Sequence, residues 1–485
     1  MTDHSYLSAS QLVRGYRDGT LDPVAATEHA LQRIDAVDPA VNAFCVVDRE
    51  NALREAHASR ARWADGSPRG PIDGVPTSVK DVIGMKGLPL RKGSRASEDT
   101  PWPEDGPAVS RLRESGAVII GKTTTPENGW KGVTDSLLTG ITRNPWRPDL
   151  TPGGSSGGAA AALALDMGAL AVGTDGGGSV RIPAAYCGVA ALKTTFGRVS
   201  TWPGGPLECL PIHGPMARRV ADIALLLDVI GQPDSRDPNC LPAPLKSFSS
   251  EVADRGADLS GLRIAFSVDL GYVDIDPEIG AIVTDAITDF EKCGATVIDA
   301  HPGFTDPVDD FHTIWFAAAA KMVDNVAEER RHLLDPGLRE IGALGADMSA
   351  LDYVTAMARR AELGNLMGQF HDEYDLLVTP TMPRAPFAAG HEVPPEMAGS
   401  RWTKWTPFTY PFNLTQQPAA SVPCGLTANG LPVGLQIVGA RFADATVLQA
   451  AHAFEKVAGS FLEWSDHGAR LAVQAQDTSP ATTGN

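Results

Sequence analysis

The chain has 485 residues, 43% hydrophobic and 21% charged, a composition that excludes a disordered or fibrous protein. Its 41 basic and 59 acidic side chains leave a formal charge of −18, and a surface that negative repels phosphate backbones and anionic lipid, so neither nucleic acid nor a membrane is expected as a partner. Length alone suggests a core divided between two or three domains.

The first residues, Met1-Thr2-Asp3-His4-Ser5, lack a basic segment followed by an apolar stretch, so no signal peptide is expected. Six scattered cysteines without a C-x-x-C pair fit free thiols in a reducing cytoplasm. Residues 1–65 read as a helical arm. Ser8-Ala9-Ser10-Gln11 has the capping-box form, Asp22-Pro23 offers an N-cap followed by proline at N1, and Val24, Leu31 and Ile34 share one face. An arm of this kind packs on a larger body or on a second copy of the chain, which makes a homodimer an open expectation.

From about Pro71 short apolar runs alternate with glycine turns and helices. Ala117–Ile120 and Ala169–Val172 read as buried strands, with Ala159–Leu165 a helix between them and Val220–Ile230 another helix beyond. The Pro/Asp/Ser-rich stretch 231–258 reads as a linker or surface excursion. Alternation resumes with strands at Leu262–Phe266 and Ala295–Ile298 flanking a helix at Ile282–Phe290. Late strands follow at Leu376–Val378 and Val433–Val438, with a last helix beginning near Ala445; residues 474–485 form a loose polar tail. This alternation predicts an α/β fold around a mainly parallel, doubly wound sheet.

Three segments carry chemistry. Gly74-Val75-Pro76-Thr77-Ser78-Val79-Lys80-Asp81 ends an apolar run on a lysine crowded by Ile72, Val75, Val79, Val82 and Ile83. Burial lowers a lysine pKa and turns the amine into a base. Gly153–Gly158 and Gly173–Ser179 set serines among glycines, whose N–H groups can crowd an oxyanion. The first loop matches G-x-S-x-G, but three prolines in the nine residues before it rule out the strand that a nucleophile elbow needs. It is not a Walker A loop either, since no Gly-Lys-Ser/Thr follows. None of the eleven histidines has a comparable setting; His213 stands nearest the glycine loops. No metal-ligand spacing is present, so no metal is expected.

Taken in order, Gly-Val-Pro-x-x-Val-Lys-Asp, Thr-Pro-Gly-Gly-Ser-Ser-Gly-Gly and Gly-Thr-Asp-Gly-Gly-Gly-Ser-Val-Arg-Ile-Pro-Ala-Ala resemble the amidase signature family. The resemblance extends to Asn144-Pro145-Trp146, to Gly188–Thr194 and to Asn413–Thr446, and so covers nearly the whole chain. It implies one large α/β domain over 1–485, with a twisted, mixed, mostly parallel sheet sandwiched between helices, and it overrules the count from length. It also implies an amide hydrolase with Ser179 as nucleophile, Ser155 as bridging serine on a cis peptide, Lys80 as terminal base, and backbone N–H groups of Gly176, Gly177, Gly178 and Ser179 as oxyanion hole. No cofactor is implied, and the expected partner is a small amide-type substrate. Trp130, Trp202, Trp315, Trp402 and Trp405 are candidate pocket walls that would favour an aryl or bulky apolar acyl group. Two rival readings remain. One is the glutaminase component of a tRNA-dependent amidotransferase, its A subunit, from which Cys209–Pro215 departs where Ser-Ser-Leu-Asp is expected. The other is a non-catalytic binding protein on the same fold, against which the two serines and the lysine speak.

Overall fold

The computed structural model describes residues 5–207 and 209–459; the expected tail at 474–485 lies outside them. Thirteen strands follow one another along the described chain. They are β1 (Phe44–Val47), β2 (Pro76–Lys80), β3 (Val118–Thr123), β4 (Asp135–Ser136), β5 (Gly140–Ile141), β6 (Leu170–Asp175), β7 (Ala190–Lys193), β8 (Ile212–Ala217), β9 (Arg263–Phe266), β10 (Thr296–Asp299), β11 (Leu376–Pro380), β12 (Ala419–Leu426) and β13 (Pro432–Gly439). β4 and β5 make a small ribbon. The other eleven form one sheet in the order β1-β3-β2-β6-β8-β7-β12-β13-β11-β9-β10.

Period-2 alternation explains how this sheet buries both faces. On β6, Leu170 and Val172 join the core that contains the Val220–Ile230 helix, while Ala171 packs with Ala159, Ala160 and Leu163 of the Gly157–Ala164 helix. On β3, Ile119 faces the first of these cores; Val118 and Ile120 face the helices Pro23–Val41 and Arg49–Ala64. Helices thus cover the sheet on either side, and the molecule is one large α/β domain rather than two or three. A wide sheet lets several apolar clusters lie side by side in one layered body, so length does not force a division.

The sheet is mixed, as expected. Parallel pairing occurs in two blocks, β3-β2-β6 and β11-β9-β10. Between them β8, β7, β12 and β13 pair antiparallel with their neighbours. The strand after each glycine loop therefore need not run the same way as the last.

Both N-terminal caps form as the residues require. Ser8 and Gln11 complete a capping box, and Asp22 accepts from Val24 N–H ahead of Pro23. The arm is not wholly helical, however. Asn42, in the left-handed region at φ 54°, ends the second helix, and Phe44-Cys45-Val46-Val47 turns into β1, an edge strand antiparallel to β3. An aromatic and two valines suit a pleated edge, and helical periodicity does not reveal it. The arm docks on its own chain, where Asp222 accepts from Ala9 N, Ser10 N and Ser10 Oγ at 2.7–3.0 Å.

The helix expected at Ile282–Phe290 is two helices, Pro277–Ala286 and Thr288–Lys292; Asp276 caps the first through Glu278 N–H, with proline again at N1. Residues 231–258 hold a helix, Phe248–Arg255, capped by Ser247, which buries Phe248 and Val252 in the main core. No helix among the described residues is long and apolar enough to cross a membrane.

Candidate active site

Strand order brings the three chemical segments together. β2 and β6 are adjacent and parallel, with Val79 opposite Val172. Lys80, the last residue of β2, therefore lies at the same sheet edge as Thr174 and the glycine loop that follows β6. The loop 153–158 is fastened to this edge by Ser156. Its N–H donates to Ser179 O at 3.0 Å, its hydroxyl donates to Thr174 O at 3.1 Å, and Thr174 N donates to Ser156 Oγ at 3.3 Å. Thr134 Oγ1 holds the other side, donating to Gly153 O and accepting from Gly157 N. The Gly154–Ser155 peptide is cis.

Lys80 is fully buried, and its Nζ donates to Ser155 Oγ at 2.6 Å and to Thr174 Oγ1 at 2.9 Å. Burial drives its pKa down from 10.5 to about 7, with the Asp175 carboxylate opposing the shift only in part. A lysine lowered into this range has a free amine accessible near neutral pH, whose lone pair can accept the Ser155 hydroxyl proton. Ser155 and Ser179 are both buried.

Asp175 organises the second loop. Burial penalises its charge, yet the guanidinium of Arg181, assisted by Asn413, holds its pKa well below the ordinary carboxylate range. Arg181 grips it at 3.0 Å through Nε and 2.9 Å through Nη2. Arg181 also donates to Gln436, Asn413 and the carbonyl of Thr409, so every arm of the buried cation has a partner. Motif reading alone misses this pair, although oppositely charged residues flanking a glycine loop six positions apart are a usable signal.

The orientation of each peptide decides which N–H groups face the nucleophile. The Asp175 carbonyl accepts from Asn413 Nδ2 at 3.0 Å, which turns the Gly176 N–H the opposite way. Ile182 N–H donates to the Gly178 carbonyl at 2.7 Å, and this frees the Ser179 N–H. The Gly177–Gly178 peptide is pinned at both ends. Thr409 Oγ1 donates to the Gly177 carbonyl at 2.7 Å, and the Gly178 N–H donates to Asp175 Oδ1 at 2.8 Å. Of the four N–H groups expected as oxyanion donors, that of Gly178 has its hydrogen engaged within the loop. The N–H groups of Gly176, Gly177 and Ser179 have no acceptor among the described residues.

The five tryptophans divide. Trp315 and Trp402 pack behind the loop, so close that a Cβ on Gly176 or Gly177 would stand 3.1 and 2.7 Å from their rings. Trp130 is buried and gives its carbonyl to Trp315 Nε1 at 3.1 Å. Trp405 is buried against Tyr186 and Phe387, and Trp202 sits under the Arg236 guanidinium. None of them lines the cavity of about 330 Å³ that opens beside Thr174. Its apolar wall comes instead from Val82, Leu207, Pro206, Pro211, Met322 and Val326. Tryptophan is a poor guide here because a large side chain is mostly buried wherever it sits.

Known proteins resemble this chain along most of its length. The family model described as Amidase matches residues 25–448. An acylamidase from Rhodococcus erythropolis is 38% identical over 459 residues, covering 93% of this chain and 95% of the relative. A glutamyl-tRNA(Gln) amidotransferase component from Chloroflexus aggregans, the A subunit of that enzyme, is 34% identical, covering 94% and 97%. Among solved structures, a bacterial aryl acylamidase of the amidase signature enzymes superposes with a TM-score of 0.88 at 29% identity, over 96% of this chain and 98% of that one. A 6-aminohexanoate cyclic dimer hydrolase superposes with a TM-score of 0.85 at 28% identity, over 95% and 98%.

Proposed function

The chain belongs to the amidase signature family and is a hydrolase of C–N bonds, and from that premise we propose that it cleaves a carboxylic amide-type bond (amide, anilide or acyl hydrazide) through an acyl-enzyme on Ser179. One observation carries this reading: a fully buried lysine whose amine lies 2.6 Å from a second serine hydroxyl, in a setting whose burial lowers its pKa to about 7.

Neutral Lys80 takes the Ser155 proton as Ser155 takes the Ser179 proton, and Ser179 Oγ bonds to the carbonyl carbon. Charge builds on the carbonyl oxygen, where the N–H groups of Gly176, Gly177 and Ser179 receive it; each such donor contributes about 3–4 kcal/mol in comparable acyl-transfer sites. Collapse breaks the C–N bond. The departing nitrogen takes a proton from Ser155, which Lys80 replenishes, because an amide anion is too basic to leave. Water then attacks the acyl-enzyme, surrendering its proton along the same path. The apolar cavity wall and the similarity to an aryl acylamidase support an aryl or otherwise apolar substrate group.

Ser179→Ala is expected to abolish both turnover and labelling by a fluorophosphonate while leaving the unfolding transition unchanged. Near-normal turnover in that variant refutes the assignment. The similarity to amidotransferase A subunits favours a second reading, a glutaminase working in a complex. Glutamine hydrolysis that appears only when the partner subunits are added would establish it over a stand-alone amidase.

A further inference from the structure

His213 lines the cavity that opens beside Thr174, and the proton relay leaves it unused. It lies on β8 directly across from Thr174, the residue whose hydroxyl accepts from Lys80. Cross-strand partners share a face of the sheet, so the imidazole points to the side on which the relay is built. The residue is only 6% exposed; its Nδ1 is sealed within the protein, and Nε2 is the ring nitrogen left open to the cavity. Neither ring nitrogen is bonded to any described residue. An imidazole nitrogen without a protein partner at the wall of an open cavity is available to hydrogen-bond a group that enters it.

We propose that His213 is a specificity-determining residue, hydrogen-bonding a polar atom of the substrate inside this cavity. The favoured substrates then carry a hydroxyl, amino or carbonyl group set in an apolar, aryl-sized frame, rather than bare hydrocarbon. The walls support the frame, since Leu207, Pro206, Met322 and Val326 offer it apolar contact. The charge state of the ring supports a neutral partner. Burial, reinforced by the nearby Lys80, pushes its pKa down to about 4, so the ring presents one donor and one acceptor and no positive charge. A phenol or carboxamide matches that pattern. This inference rests on the hydrolase reading above and names the substrate class of the same site.

The test uses anilide and benzamide pairs identical but for a ring hydroxyl in place of a ring methyl. Wild type is expected to favour the hydroxyl member of at least one pair by roughly tenfold or more in kcat/KM, mainly through KM, because a site built to hydrogen-bond a group rejects the analogue lacking it. His213→Leu should erase the preference, and His213→Gln, which keeps a donor and an acceptor, should restore part of it. No preference in wild type, or the same preference in both variants, overturns the inference. Equilibrium binding of the same pairs to Ser179→Ala and to Ser179→Ala/His213→Gln reads the contact without turnover and without the apolar variant. Equal affinity for both members overturns the role of His213. A hydroxyl preference in binding without any hydrolysis by wild type supports that role and counts against the hydrolase reading alone.

Discussion

Replacing Lys80 by methionine should destroy activity and, near neutral pH, make the protein more stable. In the native state Lys80 titrates near 7, against 10.5 when free. Between those values the unfolded chain binds more protons than the folded one, so wild-type stability rises with pH across that window, by about 1.4 kcal/mol per unit for one group. At pH 7 the native state is therefore disfavoured by about 4–5 kcal/mol relative to a chain without this titration. Lys80→Met removes the term and keeps an apolar stem of similar length. It also takes a partner from Ser155 Oγ and Thr174 Oγ1, now bonded at 2.6 and 2.9 Å, at a cost of about 1–1.5 kcal/mol each. The variant should thus be more stable than wild type by about 2 kcal/mol at pH 7, equal to it near pH 9, and less stable above. Guanidinium unfolding of both proteins at several pH values between 7 and 10, followed by tryptophan fluorescence, measures the difference. A stability difference that stays constant over that range refutes the reasoning, because Lys80 would then titrate alike in the folded and unfolded states and have no neutral amine to offer as a base.

Two further outcomes are expected. Turnover requires the free amine, so kcat/KM should fall roughly tenfold per pH unit below about 7; a profile that stays flat into acid excludes lysine as the base. Asp175→Asn leaves the Arg181 guanidinium buried without its counter-charge, which should cost about 3–5 kcal/mol of stability and lower kcat through the displaced Gly178 peptide; denaturant midpoints and single-turnover rates check both, and an unchanged midpoint would show that the pair is dispensable.

The secondary structure near the site is legible because its signals are local. Ser8 and Asp22 announce the helices they cap, and the strand read at Ala169–Val172 is β6, which runs on to Asp175 before the glycine loop. The Gly157–Ala164 helix begins on the glycines that close the first loop. Elements whose signal is weak or shared escape such reading. β1 hides between two helices, and β8 carries Gly214 and Pro215 within its span. Five tryptophans suggest a pocket, yet none lines the cavity, since residue type reports size and polarity but not direction.

What the sequence determined by itself was the chemical inventory and its spacing: a lysine closing an apolar run and two serines among glycines. Tertiary structure alone decided which of these meet. Lys80 reaches Ser155 and Thr174 across 75 and 94 residues of chain only because β2 pairs beside β6. The Gly178 N–H is turned to a carboxylate, and His213 is set at the cavity wall by a strand register, and no local pattern encodes either placement. Periodicity and turn chemistry act over a few residues. Burial, peptide orientation and proton affinity are set by neighbours that only the folded sheet supplies.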